Sequence, residues 1–227
     1  MNLDLYANVE DMLGLEEATH ELHVEFYNEL EKYNFKTLLD VGCGRGEFIK
    51  NIPFKDVTCS GIDKSQVMVD ACKKSALHVE CKDVSEVKEK YDVVVSIFDV
   101  LNFMNKKELQ QFLQNISNIL NEDGIFIADI NSLYGFESVA DGTYIAQDES
   151  RFLSVEGEFN GSELTSTFTL FTAQESGLHV KQQDKIVQTY HTIKEIKKSK
   201  SLRLINQHNI SLYDSDDKIM LVFKRLL

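Results

Sequence analysis

The stretch Leu38-Leu39-Asp40-Val41-Gly42-Cys43-Gly44-Arg45-Gly46-Glu47-Phe48 decides the reading of this chain. An apolar run ends in an acidic residue, three alternating glycines follow, and a helix-like pattern begins behind them. Alternating glycines after a strand let the backbone come close to a ligand, because no Cβ intervenes and positive φ costs little. The spacing is G-x-G-x-G, not the dinucleotide fingerprint G-x-G-x-x-G. Glu47 follows the third glycine, where a carboxylate suits the helix dipole but competes with a pyrophosphate for it. The loop is therefore expected to hold a nucleoside ligand without phosphates.

Outward from this loop, short apolar runs alternate with amphipathic segments. Thr37 to Val41 reads as a strand, and Glu47 to Ile52 begins a helix that Pro53 helps close. Val57 to Ile62 is a second strand ending at Asp63. Ser65 to Ala76 is a helix with Val67, Met68, Ala71 and Cys72 inward, and Leu77 to Cys81 is a third strand. Tyr91 to Phe98 has the β-branched character of a central parallel strand buried on both faces. Lys106 to Leu120 carries the stripe Leu109, Phe112, Leu113, Ile116, Leu120, and Gly124 opens a fifth strand, Ile125 to Ile130. This alternation predicts an α/β fold with a doubly wound, mostly parallel, seven-stranded sheet.

The flanks differ in texture. Residues to about Lys36 read as helical, with Leu22, Phe26 and Leu30 at i+4 spacing. After Asn131, glycines 157, 161 and 177 separate the β-prone stretches Phe152–Phe159, Leu164–Phe171 and Leu178–Val187, which predicts an antiparallel meander. An outward apolar face on Phe152, Phe159, Phe168 and Phe171 would favour burial against a partner. A short basic helix, Thr192 to Ser199, leads to a terminal hairpin of Leu202–Leu212 and Lys218–Leu226. The expected organisation is a helical segment 1–36, a ligand-binding core 37–131, an antiparallel β insertion 132–191 and a closing helix and hairpin 192–227.

With 24 Lys+Arg against 37 Asp+Glu, the formal net charge of −13 repels polyanions, so no nucleic-acid partner is expected. Lys194, Lys197, Lys198 and Lys200 form the densest positive cluster and read as a solvated face, with a local basic patch as the alternative. Cys43, Cys59, Cys72 and Cys81 form no C-x-x-C pair, which fits a reducing cytosol. No signal-peptide pattern or run of membrane-spanning length is visible, so a cytoplasmic protein without a membrane partner is expected. His20 and His23 stand three apart, but no further motif supports a metal there, and none is expected.

In such a sheet the ligand crevice lies at the carboxyl ends of the strands, where strand order reverses. Asp40 with Gly42, Cys43, Gly44 and Gly46 follows the first strand. Asp63 and Lys64 follow the second, where a carboxylate can accept both ribose hydroxyls, and Asp83 and Val84 follow the third, within reach of an adenine amino group. A strand-end acid can instead simply cap the next helix. The ordered set argues for a ligand, because capping alone needs a coincidence at every strand end.

From Phe35 to Ile130 the chain resembles the class I S-adenosylmethionine-dependent methyltransferases. Leu38–Gly46 matches their first motif, Gly61-Ile62-Asp63-Lys64-Ser65 their ribose-binding motif, and Lys82-Asp83-Val84 their adenine-side motif. Tyr91–Ser96 and Gly124–Asp129 match their fourth and fifth strands. The resemblance implies that Ser96, Ile97 and Phe98 flank the methionine portion of S-adenosylmethionine. It also implies in-line displacement by an acceptor oxygen or nitrogen, with S-adenosylhomocysteine leaving and no metal required. Asp129-Ile130-Asn131-Ser132 followed by a β-rich excursion is similar to the small-molecule branch. There is no N-P-P-Y signature and no cysteine pair suited to methylating bases.

Candidate bases are His191 and Asp99, with His179 on the meander a further one and Asn131 an orienter. Asn102 and Asn131 are expected to contact the substrate. Tyr6 is expected there too, folding over the cofactor as N-terminal aromatics do in similar enzymes. The rival readings are a protein or carrier-bound acceptor, a non-catalytic methyltransferase-like subunit and, last, a dinucleotide-dependent oxidoreductase. The chain is expected to be a monomer or homodimer.

Overall fold

Successive residues of a strand point to opposite sides of a sheet, and here both sides are apolar. The computed structural model describes residues 4–226 other than 74 and 76. Its main sheet comprises β1 (Thr37–Val41), β2 (Thr58–Asp63), β3 (Val79–Cys81), β4 (Tyr91–Ser96) and β5 (Leu120–Asn131), joined by β10 (Leu202–Ile210) and β11 (Lys218–Arg225). The order is β10-β11-β5-β4-β1-β2-β3. Strands β1 to β5 pair in parallel, and β11 runs antiparallel to both of its neighbours. Strand order reverses between β1 and β4, which places the crevice beside the glycine loop.

On one face, Leu39, Val94, Phe126, Leu221 and Phe223 meet Leu109, Phe112, Leu113 and Ile116 of α5 (Lys106–Ile119). On the other, Leu38, Val93, Val95, Ile127, Met220 and Val222 meet Leu22, Phe26 and Leu30 of α2 (Glu16–Leu30). Asn105 starts α5, accepting from the amides of Lys107 and Glu108, while the Glu108 carboxylate accepts from the Asn105 amide.

A second sheet, of order β6-β7-β8-β9, is antiparallel throughout: β6 (Gly142–Gln147), β7 (Arg151–Phe159), β8 (Glu163–Ala173) and β9 (His179–Thr189). Its inner side presents Leu153, Phe168, Leu170 and Ile186 to Leu5 and Val9 of α1 (Asp4–Val9). Gly157 docks this sheet: a Cβ there would stand 2.1 Å from the Ala140 carbonyl oxygen. The four phenylalanines divide among three surroundings. Phe168 is buried under α1, Phe159 stacks on Phe136, and Phe152 and Phe171 pair with each other.

Several elements differ from expectation. Strand β6 was not foreseen, because its six residues are nearly all exposed and show no alternation. Helices α3 (Glu47–Lys50) and α6 (Ile193–Ile196) are single turns. Helix α4 spans Gln66–Lys73, and its expected end at Ala76 lies outside the described residues. Helix α5 stops one residue early because Leu120 is already extended and pairs with Tyr91, and left-handed Asp123 then interrupts the ladder before Ile125. Among the described residues no helix is long and apolar enough to cross a membrane.

Phe126 stacks on Phe223 at 5.5 Å and meets Phe112 edge-on, fully buried. Phe126→Ala should destabilise the protein by about 3–5 kcal/mol, read as a lowered urea midpoint.

Candidate active site

The three loop glycines adopt left-handed φ, +83° at Gly42, +53° at Gly44 and +76° at Gly46. A Cβ on Gly42 would stand 2.8 Å from Val100 Cγ2, so the loop after β1 rests on the loop after β4. A Cβ on Gly44 would meet nothing within 4 Å, which leaves open space above the loop. The Gly44 amide donates to Asp63 Oδ2 (2.9 Å) and the Ser65 amide to Asp63 Oδ1 (2.8 Å). Each of these oxygens can still accept a second hydrogen bond.

Asp40 lies beneath this loop, 2% exposed, and its Oδ1 has no hydrogen-bond partner. Burial first, and Asp63 second, push its pKa up to about 8. A buried unpaired oxygen at the floor of an open glycine loop calls for a donor from a ligand. Asp83 caps the turn Val84–Glu86 through the amide and hydroxyl of Ser85 and pairs with Lys64 at 2.6 Å. Burial opposes ionisation there, but Lys64 and Ser85 outweigh it and hold Asp83 near 2. Asp83 thus caps the next turn and pairs with Lys64 at the same time.

Between β4, β5 and β11 lies a buried ionic cluster. Lys218, 1% exposed, donates to Asp99 Oδ1, to Asp129 Oδ2 (3.0 Å) and to Asn131 Oδ1 (3.1 Å), and its ammonium lies 5.3 Å from the centre of the Phe98 ring. Burial works against the ammonium, but Asp99 and Asp129 outweigh it and raise its pKa. Asp129 also accepts from the amides of Phe98 (2.7 Å) and Asp99 (3.2 Å), both left-handed residues. Burial, partly offset by Lys218 and reinforced by Asp99, lifts Asp129 to about 6. Tyr6 of α1 lies edge-on to Phe168, and burial followed by the charges of Glu10 and Asp99 raises its phenol pKa.

The structure thus gathers Asp40, the glycine loop and Asp63 on one side and Phe98, Asp99, Asn131 and Tyr6 on the other. Other expected site residues are held differently. The Ser96 hydroxyl donates to the Val41 carbonyl at 2.8 Å, tying β4 to β1. Asn102 is fully buried, donating to the Thr189 carbonyl and accepting from the Asn131 amide, so it is a bracket between β5 and the second sheet. His191 Nε2 meets the carbonyls of Leu101 and Met104, and its Nδ1 is buried without a partner. Its ring faces the α5–α6 side with Gln110 and Glu195, not the Asp99–Lys218 cluster. His179 is exposed at the end of β9 remote from Thr189, roughly 33 Å along the strand. His23 is a core residue, edge-on to Phe48, and burial lowers it to about 4.

Lys218, Tyr213 and Asp217 were not anticipated. Asp217 accepts from the amides of Leu212 and Tyr213 and shapes the turn that delivers Lys218. The available signal was parity: Lys218 shares its strand face with the apolar Met220 and Val222.

Residues 38–124 match the family model described as a methyltransferase domain. A protein of Geobacillus sp. (strain WCH70) with a provisional methyltransferase name is 28% identical over 124 residues, 50% of this chain and 50% of its own. The match thus spans about half the length of that curated relative, and 37% of another from Invertebrate iridescent virus 6. Among solved structures, an S-adenosylmethionine-dependent methyltransferase from Clostridium acetobutylicum superposes with a TM-score of 0.77 at 20% identity, over 97% of this chain and 98% of that one. The amino pentose methyltransferase CalS10 from Micromonospora echinaspora gives 0.73 at 14% identity, over 100% and 98%. Residues 38–124 thus match a methyltransferase domain, and the fold shared with solved S-adenosylmethionine-dependent methyltransferases extends over nearly all of the chain.

Two outcomes follow from the buried charges. Asp40 binds its proton more tightly folded than unfolded, so its contribution to stability is present below about pH 4 and lost as pH rises towards 8. Asp40→Asn should flatten that decline in the ligand-free protein, seen as melting temperatures that diverge from wild type with rising pH. Lys218→Met strands the buried Asp129 and the partly buried Asp99 and should cost about 3–5 kcal/mol at neutral pH, a loss that shrinks in mild acid as Asp129 takes up a proton.

Proposed function

We propose that this chain transfers a methyl group from S-adenosylmethionine to an oxygen or nitrogen of a small molecule. The carrying observation is the unpartnered Asp40 Oδ1 beneath an open glycine loop at the reversal of strand order. The donor set fits the cofactor. Asp63 keeps acceptor capacity for ribose hydroxyls, Asp83 and Val84 stand on the adenine side, and Ile97 and Phe98 flank the methionine end. When bound, the cofactor supplies an activated methyl that needs no further electrophile.

The chain's own work is to align and to exclude water. Helix α1 lies across the glycine loop, where Arg45 donates to Glu10 (2.8 Å) and to the Ala7 carbonyl (2.8 Å). Arg151 of the second sheet ties the same segment through Asp11 and the Asn8 carbonyl. These contacts support an enclosed acceptor site with Tyr6 in its wall, which suits a small molecule better than a protein surface. The likeness to CalS10, which acts on an amino pentose, supports the same class. The free cysteines are in keeping with a cytoplasmic setting.

Calorimetric titration of S-adenosylmethionine into the protein tests this reading. Binding is expected, and Asp63→Ala should weaken it about 10–100-fold, the worth of a hydrogen bond to a charged group. A folded wild-type protein that takes up no cofactor would refute the enzyme reading.

A further inference from the structure

The Asp99–Lys218–Asp129 cluster is lopsided towards the site. The side chains of Lys218 and Asp129 are 1% and 0% exposed, whereas that of Asp99 is 16% exposed. All three ammonium hydrogens of Lys218 are engaged, by Asp99, Asp129 and Asn131, so the lysine has nothing left to offer a ligand. Asp129 is likewise held by Lys218 and two backbone amides. Asp99 differs: only its Oδ1 meets the lysine, and no donor among the described residues reaches its Oδ2. Two acids face one base, so the cluster holds one acid in excess, and the accessible edge is a carboxylate.

The backbone is built to present that edge. Phe98 and Asp99 are consecutive left-handed residues, φ +65° and +60°, a conformation that non-glycine residues adopt only when held there. The two amides donated to Asp129 do the holding. The loop abuts the glycine loop through Val100, so Asp99 stands next to the methionine end of the cofactor site. Aromatic groups lie nearby: the Phe98 ring, 5.3 Å from the Lys218 ammonium that Asp99 pairs with, and the phenols of Tyr6 and Tyr213, whose ionisation the Asp99 charge opposes. A carboxylate edge with aromatic walls favours an organic cation over a neutral hydroxyl compound.

We propose that Asp99 is a specificity-determining residue that selects a small primary or secondary amine, docked as its ammonium on Asp99 Oδ2. This rests on the methyltransferase reading of the site. The docked ammonium loses one proton to water, and the freed lone pair forms the new N–C bond. The methyl–sulfur bond breaks with its electron pair remaining on sulfur, giving the methylated ammonium and S-adenosylhomocysteine.

The test is calorimetry on the full chain loaded with S-adenosylhomocysteine, at neutral pH, with benzylamine, benzyl alcohol and aniline, and with pyrrolidine and cyclopentanol. Each protonated amine should bind at least about tenfold more tightly than its alcohol, as a charge-assisted contact requires. Aniline, uncharged at this pH, should behave like the alcohols. Asp99→Asn suits the left-handed backbone and can still accept from Lys218, and it should bring amine and alcohol to parity. An alcohol bound as tightly as its amine would overturn the inference, as would an amine preference that survives in Asp99→Asn. Failure of the wild type to take up S-adenosylhomocysteine would instead remove the reading beneath it.

Discussion

The carboxyl end of the sheet depends on one buried ammonium. Lys218 enters from the last strand and is met by acids from the ends of β4 and β5, so three segments distant in sequence converge on one charge. Desolvating a lysine is costly, and this one is stable only because its hydrogens all find acceptors. Asp129 passes the constraint on, since the same carboxylate fixes the left-handed pair Phe98–Asp99. The terminal hairpin is therefore more than a sheet edge: it shapes the loop that abuts the glycine loop.

The sheet itself was legible in sequence. Leu38 and Leu39, or Val93 to Val95, are apolar without a break because neighbouring residues enter opposite cores. The glycine loop and the acids at successive strand ends were legible for a related reason: backbone conformation and charge at those points admit few residue types. Lys218 was not, because a lysine after Asp214-Ser215-Asp216-Asp217 looks solvated. His191 and Ser96 show the opposite failure. Both sit at strand ends, as site residues do, but sequence cannot show that nearby carbonyls hold them.

Asn102 illustrates how a polar side chain can be indispensable without touching chemistry. Its amide satisfies a donor on β5 and a buried acceptor at the end of β9, so it bolts the second sheet to the first. Gly157 and Gly135 do the same by omission, since a Cβ on either would strike a backbone carbonyl, that of Ala140 or Asp217. The second sheet is positioned by such fixed contacts as well as by its loops.

The second sheet has only one apolar face, and that face is completed by α1, from the opposite end of the chain. It is half of a core, not a cassette. Transplanting residues 142–189 into a relative would leave Leu153, Phe168 and Ile186 bare unless a matching N-terminal helix travelled with them. Any change on the apolar face of this sheet is thus coupled to α1, far away in sequence. A change in the β-rich stretch alone would be read by folding before it could be read by catalysis.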